Sequence, residues 1–319
     1  MMFKRESPFH FLLFWFFPPI ASIVAASSMT SNDLPNIVIL FADNLGYEDV
    51  STFQSSSTLG RTKTPNIDRL AEEGMKFLNW NSAAALCSAS RAALLTGKYP
   101  VRTGVYPRVF RPDAKYGLLP EEVTLAELLK IEGYSTSIVG KWHLGHREDY
   151  LPTNQGFDSW FGIPYHMSGG SVDNHTCNVD HNGTMWLPLY EDNTIVEQPV
   201  QLSNLASRYA SRAANFIVEN SERKQPFFLY MAFSHVHQLC APRDLPEQTT
   251  CQWGSKQNPT FSSAVEEMDW IVGQIVHALE SSSVSNNTFV LFTSDNGPWV
   301  AEQACSGSKG PFEGQWYVI

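Results

Sequence analysis

Ile37-Val38-Ile39-Leu40-Phe41-Ala42, closed by Asp43-Asn44, is an apolar run that stops at a carboxylate and an amide. Six apolar residues without polar alternation predict a strand buried on both faces, as in the middle of a parallel sheet. Three further stretches read as strands followed by polar clusters. Ser135 to Val139 precedes Lys141-Trp142-His143, Phe227 to Phe233 precedes Ser234-His235-Val236-His237, and Phe289 to Thr293 precedes Asp295-Asn296. Helix signals lie between them. Thr64-Pro65 reads as a cap with proline at the first helical position, Ile67, Leu70 and Ala71 on one face, and Gly74 as the stop. Cys87 opens an Ala- and Leu-rich run that ends at Gly97. Thr124 and Glu127 form a capping box ahead of Leu125, Leu128 and Leu129, with Gly133 behind. Leu205, Tyr209, Ala213 and Phe216 stripe a helix before the third run, and Val265, Met268, Val272, Ile275 and Leu279 another before the fourth.

Helices alternating with buried strands predict an α/β fold, a largely parallel sheet sandwiched by helices and joined by right-handed crossovers. Sites in such sheets form outside the carboxyl ends of the strands, where all four polar clusters fall. Residues 167–204 lack periodicity and read as a surface excursion.

The 319 residues, 43% hydrophobic and 17% charged, suffice for one large core or two modest ones. A net charge of −10 argues against nucleic acid as a partner, and requires any anion site to cluster its bases locally. Lys4 and Arg5 precede an apolar run from Phe9 to Ala26, interrupted by Pro18-Pro19 and ending in small residues. This predicts a secretory signal peptide over residues 1–26; the run is short against the ~20 apolar residues of a stable membrane anchor. Sequons at Asn174, Asn182 and Asn286 fit the secretory route, leading to the lysosome or the exterior. With Cys87 set aside, Cys177, Cys240, Cys251 and Cys305 allow three disulfide pairings in an oxidising compartment.

Asp43, Asn44, Asp295 and Asn296 offer only the hard oxygen ligands that calcium or magnesium takes. Cys87 stands at the positive end of its helix, where anions collect. Lys141 and His143 make a compact cationic turn between Gly140 and Gly145.

Two of these stretches resemble the signatures of the sulfatase family. Cys87-Ser88-Ala89-Ser90-Arg91 with Ala92-Ala93-Leu94-Leu95-Thr96-Gly97 is similar to C-x-P-S-R followed by A-x-L-L-T-G, and residues 140–145 match G-K-W-H-L-G throughout. The resemblance covers nearly all of the chain from Asn36 onward, over residues 35–319 of an N-terminal catalytic domain. Residues 187–190, 195–199 and 295–299 point to an arylsulfatase subgroup. It implies an alkaline-phosphatase-like fold and the hydrolysis of sulfate monoesters, on a sulfated small molecule or glycan. It also implies that the formylglycine-generating enzyme oxidises Cys87 to formylglycine. One calcium ion would be held by Asp43, Asn44, Asp295, Asn296 and residue 87. Lys141 would bind the sulfate, His143 would hold and deprotonate a hydroxyl of the formylglycine hydrate, Arg91 would orient that hydrate, and His237 would protonate the leaving oxygen.

Two departures stand inside the match. Ala89 replaces the signature proline, which predicts partial conversion of Cys87, and Asn44 replaces an aspartate, which predicts weaker calcium binding. His166 follows Tyr165 where relatives often carry serine. The family's K-x-T-x-x-E-G-G pattern is absent, since Lys309 does not fit it, so the chain is expected to lack a C-terminal subdomain and to be weakly active and marginally stable. A catalytically silent, glycan-binding relative and a phosphate-ester hydrolase of the same superfamily remain alternatives.

Overall fold

Alternate residues of β1 (Asn36–Ala42) face opposite ways: Val38, Leu40 and Ala42 enter one core, Ile39 and Phe41 another. The computed structural model describes residues 34–58, 60–169, 186–239, 252–256 and 259–317. Its strands continue with β2 (Ser135–Gly140), β3 (Ser159–Gly162), β4 (Leu189–Glu191), β5 (Thr194–Glu197), β6 (Phe227–Ala232) and β7 (Thr288–Ser294). They form one sheet in the order β5-β4-β3-β2-β6-β1-β7. β3, β2, β6, β1 and β7 run parallel, and β4 and β5 add an antiparallel edge.

Helices cover both faces. α5 (Leu205–Arg223) and α6 (Phe261–Ser281) bury Tyr209, Ala213, Met268 and Ile275 against Val38, Leu40 and the β6 residues Phe227, Leu229 and Met231. On the other face α2 (Cys87–Thr96) and α4 (Leu125–Ile131) bury Ala92, Leu95 and Ala126 against Ile39, Phe41, Phe228 and Tyr230. The apolar runs of β1 and β6 thus have the cause assigned to them, burial on two sides; β7 departs from it, lying at the sheet edge only partly buried, with Phe289 56% exposed. α1 (Pro65–Glu73) lies against α6, and a short α3 (Pro100–Thr103) follows α2.

Three local expectations are corrected. The Thr64 side chain does not cap α1; the Asp269 carboxylate of α6 does, accepting the Asn66 and Ile67 N–H groups at 3.1 and 2.8 Å. Leu128 of α4 points to solvent at 53% exposure, and Ala126 takes the buried position. Within residues 167–204, the part described is no mere excursion: β4 and β5 extend the sheet, and Leu187, Leu189 and Val200 are wholly buried.

Residues 1–26, Asn174, Asn182, Cys177, Cys240 and Cys251 lie outside the described residues. Asn286 is exposed ahead of β7, and Cys305 is disulfide-bonded. No described helix is long and apolar enough to cross a membrane.

Candidate active site

The adjacent strands β2, β6, β1 and β7 end side by side, so the four polar clusters of the sequence converge. Backbone bonds lock their order. Asp43 N–H donates to His235 O at 2.7 Å, Val236 N–H to Asp43 O at 2.7 Å, Lys141 N–H to Ala232 O at 2.7 Å, and Asp295 N–H to Ala42 O at 3.0 Å. α2 points its first residue at the same spot. It begins where Leu86 leaves the extended region, and it ends at Gly97 in the left-handed conformation (φ 65°).

Cys87 Sγ lies 3.5 Å from Asp43 Oδ1 and 3.9 Å from Asn44 Oδ1. Lys141 Nζ donates to Asp43 Oδ2 at 2.6 Å, and Arg91 Nη2 and Nε donate to Asp295 Oδ2 at 2.8 and 3.1 Å. Arg91 Nη1 donates to Lys141 O at 3.0 Å, and the guanidinium lies over the Phe41 ring. Two cations thus balance two carboxylates in a place closed to water, where an unpaired charge would be costly. Burial pushes the Cys87 thiol well above its ordinary pKa, and the carboxylates of Asp295 and Asp43 add to this against the pull of Lys141. Burial also raises Asp295, with Asp43 beside it.

The opposite wall is made of histidines. Phe110 O faces His143 Nε2 at 3.1 Å, and Gln238 O faces His237 Nδ1 at 2.8 Å. A carbonyl only accepts, so each of those nitrogens carries its proton, and the neutral rings present bare His143 Nδ1 and His237 Nε2. His143 Nδ1 is buried without a partner among the described residues. Burial holds His143 well below its usual pKa and takes His237 down to about 3, with Lys141 adding to both. Between the two rings sits His166, 5.3 Å from His143 and stacked on His237 at 5.1 Å, its Nδ1 2.9 Å from Ser168 Oγ. No sequence motif assigns His166 a role. Nothing in the sequence signals Phe110, whose contacts here are made by its backbone: its N–H donates to Ser88 Oγ at 3.1 Å, tying its loop to the start of α2.

Asp43, Cys87 and Asp295 bring ligand atoms within 4.8 Å of one another, a possible metal site. The amides complete the fit. Asn44 Oδ1 accepts from Asn296 Nδ2 at 2.7 Å, and Asn296 Oδ1 is buried with no partner among the described residues. Two carboxylates and two amide carbonyls suit a hard cation such as calcium. The structure therefore brings together all of Asp43, Asn44, Cys87, Arg91, Lys141, His143, His237, Asp295 and Asn296.

The sulfatase family model matches residues 35–317. Arylsulfatase G of Homo sapiens is 41% identical over 309 residues, 91% of this chain and 56% of that protein. N-acetylgalactosamine-6-sulfatase of Rattus norvegicus is 39% identical over 92% of this chain and 56% of its own length. The chain thus spans about half the length of the curated relatives it matches. Among solved structures, Ps i-CgsB in complex with k-i-k-neocarrahexaose superposes with a TM-score of 0.67 at 27% identity, over 89% of this chain and 62% of the other.

Proposed function

The chain belongs to the sulfatase family, and on that premise we propose that it is the catalytic part of a sulfuric ester hydrolase of the arylsulfatase type. The observation that supports this most is the convergence of Cys87 with both carboxylates, Lys141, His143 and His237 at one set of strand ends. A buried thiol held protonated is a poor nucleophile. Formylglycine derived from Cys87 by the formylglycine-generating enzyme would supply, as its hydrate, an oxygen nucleophile together with a second hydroxyl. Calcium held by Asp43, Asn44, Asp295, Asn296 and residue 87 would supply a Lewis acid beside that group.

The chain's own residues do the rest. Lys141 places its ammonium against the oxygens of the transferred sulfate, a charge fixed before the substrate arrives. Arg91 keeps the Asp295 carboxylate in place and orients the group at residue 87. His143, anchored through Nε2–H on the Phe110 carbonyl, turns its bare Nδ1 to a hydroxyl proton and accepts it. His237, anchored through Nδ1–H on Gln238, meets the ester oxygen with Nε2, and the anionic sulfate favours the proton it must carry there.

Sulfated glycans are the substrate class favoured here, because Ps i-CgsB, with 27% identity, has been captured with a hexaose. A secretory route is part of the same proposal, supported by the apolar run after Lys4-Arg5 and the disulfide at Cys305.

The test is mass analysis of the peptide holding residue 87 from secreted protein, beside turnover of aryl sulfate and aryl phosphate with and without calcium. Formylglycine and calcium-dependent sulfate release are expected. Sulfate binding without turnover would favour the silent reading, motivated by Ala89 and Asn44, and preference for phosphate would favour the phosphohydrolase.

A further inference from the structure

The chemistry at the strand ends leaves His166 without a task, although its ring meets both histidines that handle a proton. Those two are held in different ways. His143 rests its Nε2–H on the carbonyl of Phe110, a residue of another loop that is itself tied to Ser88. His237 rests its Nδ1–H on Gln238 O at 2.8 Å, the carbonyl of the very next residue. Such a partner turns with the backbone that carries the ring, and a single hydrogen bond leaves the ring free to rock about it. The plane of the His237 ring therefore depends on what lies against its face.

His166 lies there. Its ring centroid is 5.1 Å from that of His237, with 16° between the planes. The N–H groups of an imidazole point outward in its own plane, so rings stacked this way do not hydrogen-bond to one another or pass a proton directly. What a stack can do is favour one orientation, by roughly two- to tenfold for an aromatic pair. The plate is itself held. His166 Nδ1 lies 2.9 Å from Ser168 Oγ, and just before it Ile163 O and Pro164 O accept the Trp142 and His143 N–H groups, both at 3.0 Å. On its other side the His166 ring leans on His143, tilted by 58°. Burial, with His237 and Lys141 nearby, holds His166 well below the usual histidine pKa, so the plate stays uncharged near neutrality.

We propose that His166 is a positioning residue for His237: its ring, steadied by Ser168 and His143, fixes the plane of the His237 imidazole so that Nε2 keeps one direction, toward the leaving oxygen. This rests on the sulfatase reading of the site. A general acid acts only within hydrogen-bond reach of the oxygen it protonates, so a ring that rocks away from that line is lost to the step. Esters whose alcohol leaves poorly need that proton most, and the stack therefore widens the range of esters the site can cleave.

Two readouts test this on the intact chain. Proton–nitrogen correlation spectra with isotope-labelled histidine read the ring directly, and His237→Gln identifies its signals by their loss. The two His237 nitrogens should have widely separated shifts, one protonated and one bare. His166→Leu, which fills the space without a flat ring, should draw those shifts together as the ring leaves Gln238 and exchanges tautomers. His166→Phe, which keeps the flat face, should restore the separation. If the melting curve shows that the Leu variant does not fold, His166→Ala replaces it. Turnover is then compared on nitrophenyl sulfate, whose phenol leaves readily, and phenyl sulfate, whose oxygen needs the proton. His166→Leu should lose about tenfold or more on phenyl sulfate and little on nitrophenyl sulfate, with Phe recovering the loss. Unchanged His237 spectra in the Leu variant, an equal loss on both esters, or no recovery with Phe would overturn the proposal. Spectra that change as expected in a chain that turns over neither ester would overturn the sulfatase reading and leave the stack standing; turnover with unchanged spectra would do the reverse.

Discussion

The strand ends and the surface beside β7 invert each other. At the strand ends Asp43, Arg91, Lys141, His143 and Asp295 are all at 0% exposure, whereas beside β7 Met75, Phe77, Trp80 and Phe289 are at least half exposed. Large buried charges and large exposed aromatics both run against the usual partition. The buried set is internally balanced: each carboxylate has its cation at 2.6 to 2.8 Å. Such pairs add little stability, because desolvation offsets their attraction, so their retention is better explained by chemistry. The apolar set surrounds a groove of about 620 Å³ lined by Phe53, Leu70, Phe77, Trp80, Phe292 and Phe312. β7 pairs with β1 on one side and with no described strand on the other. The buried charges are therefore satisfied by one another, while the groove meets the site only at Asn296, and this contrast can be probed from both ends.

The largest effect should come from Cys87→Ala, which ought to reduce aryl-sulfate turnover by more than about 10³-fold while moving the melting temperature by only a few degrees. Substantial residual turnover would show that the buried charges serve some other end. Next comes Asp295→Ala, which takes from buried Arg91 its 2.8 Å carboxylate and leaves it Asp43 at 3.8 Å and the Lys141 carbonyl, at a cost of up to about 3–5 kcal/mol, and should remove any stabilisation by calcium. Asn44→Asp should do the opposite for the metal, adding a charge among the oxygen donors and steepening the rise of melting temperature with calcium. If neither change alters the calcium dependence, the metal is not bound where Cys87, Asp43 and Asp295 converge.

The same contrast decides what could be read before the fold was known. β1 and β6 declare themselves, because residues buried on two faces must be apolar without interruption, and α6 does so through its helical stripe; β2, although nearly all buried, opens on Ser135-Thr136-Ser137 and does not owe its reading to an unbroken apolar run. β3, β4 and β5 do not declare themselves, being three or four residues long and mixed in character, and pairing partly at an edge. Site residues at strand ends were legible through their motifs. Contacts made across the chain were not: Asp269 caps α1 from 203 positions away, and His166 gains its place only when two other histidines arrive on either side. A local pattern carries no information about such partners, and Thr64 was the nearer but wrong choice for the cap.

Between the two regions stands Asp49. Its buried carboxylate accepts Gly46 N–H and Ser308 N–H, both at 2.8 Å, tying the segment after β1 to the segment after β7. Burial pushes it up to about 6 from an ordinary 3.8, against the pull of those two N–H donors. The folded chain then keeps this proton over a range where the unfolded chain has lost it. Its contribution is full below about pH 3.8 and lost as pH rises through 6, by at most about 3 kcal/mol. Asp49→Asn keeps an acceptor and removes the titration. In urea unfolding between pH 4 and 7, the variant should gain on the parent as pH rises, while groups common to both cancel in the difference. A constant difference across that range would show that Asp49 is not held as its surroundings imply.

The smallest effect belongs to the groove. Phe289 and Trp80 are 56% and 51% exposed, so little apolar area leaves water when this chain folds around them. Trp80→Ser and Phe289→Ser should each change unfolding free energy by no more than about 0.5 kcal/mol, as surface substitutions do, and leave aryl-sulfate turnover where it was. What they should lower is the stickiness of the surface, read as binding of a hydrophobic dye and as self-association in sedimentation, because contiguous exposed apolar area drives both. A loss above about 2 kcal/mol would instead mark these rings as core, in the class of cavity-forming changes. The β7 side would then be as tightly built as the strand ends, and the contrast between the two regions would fail.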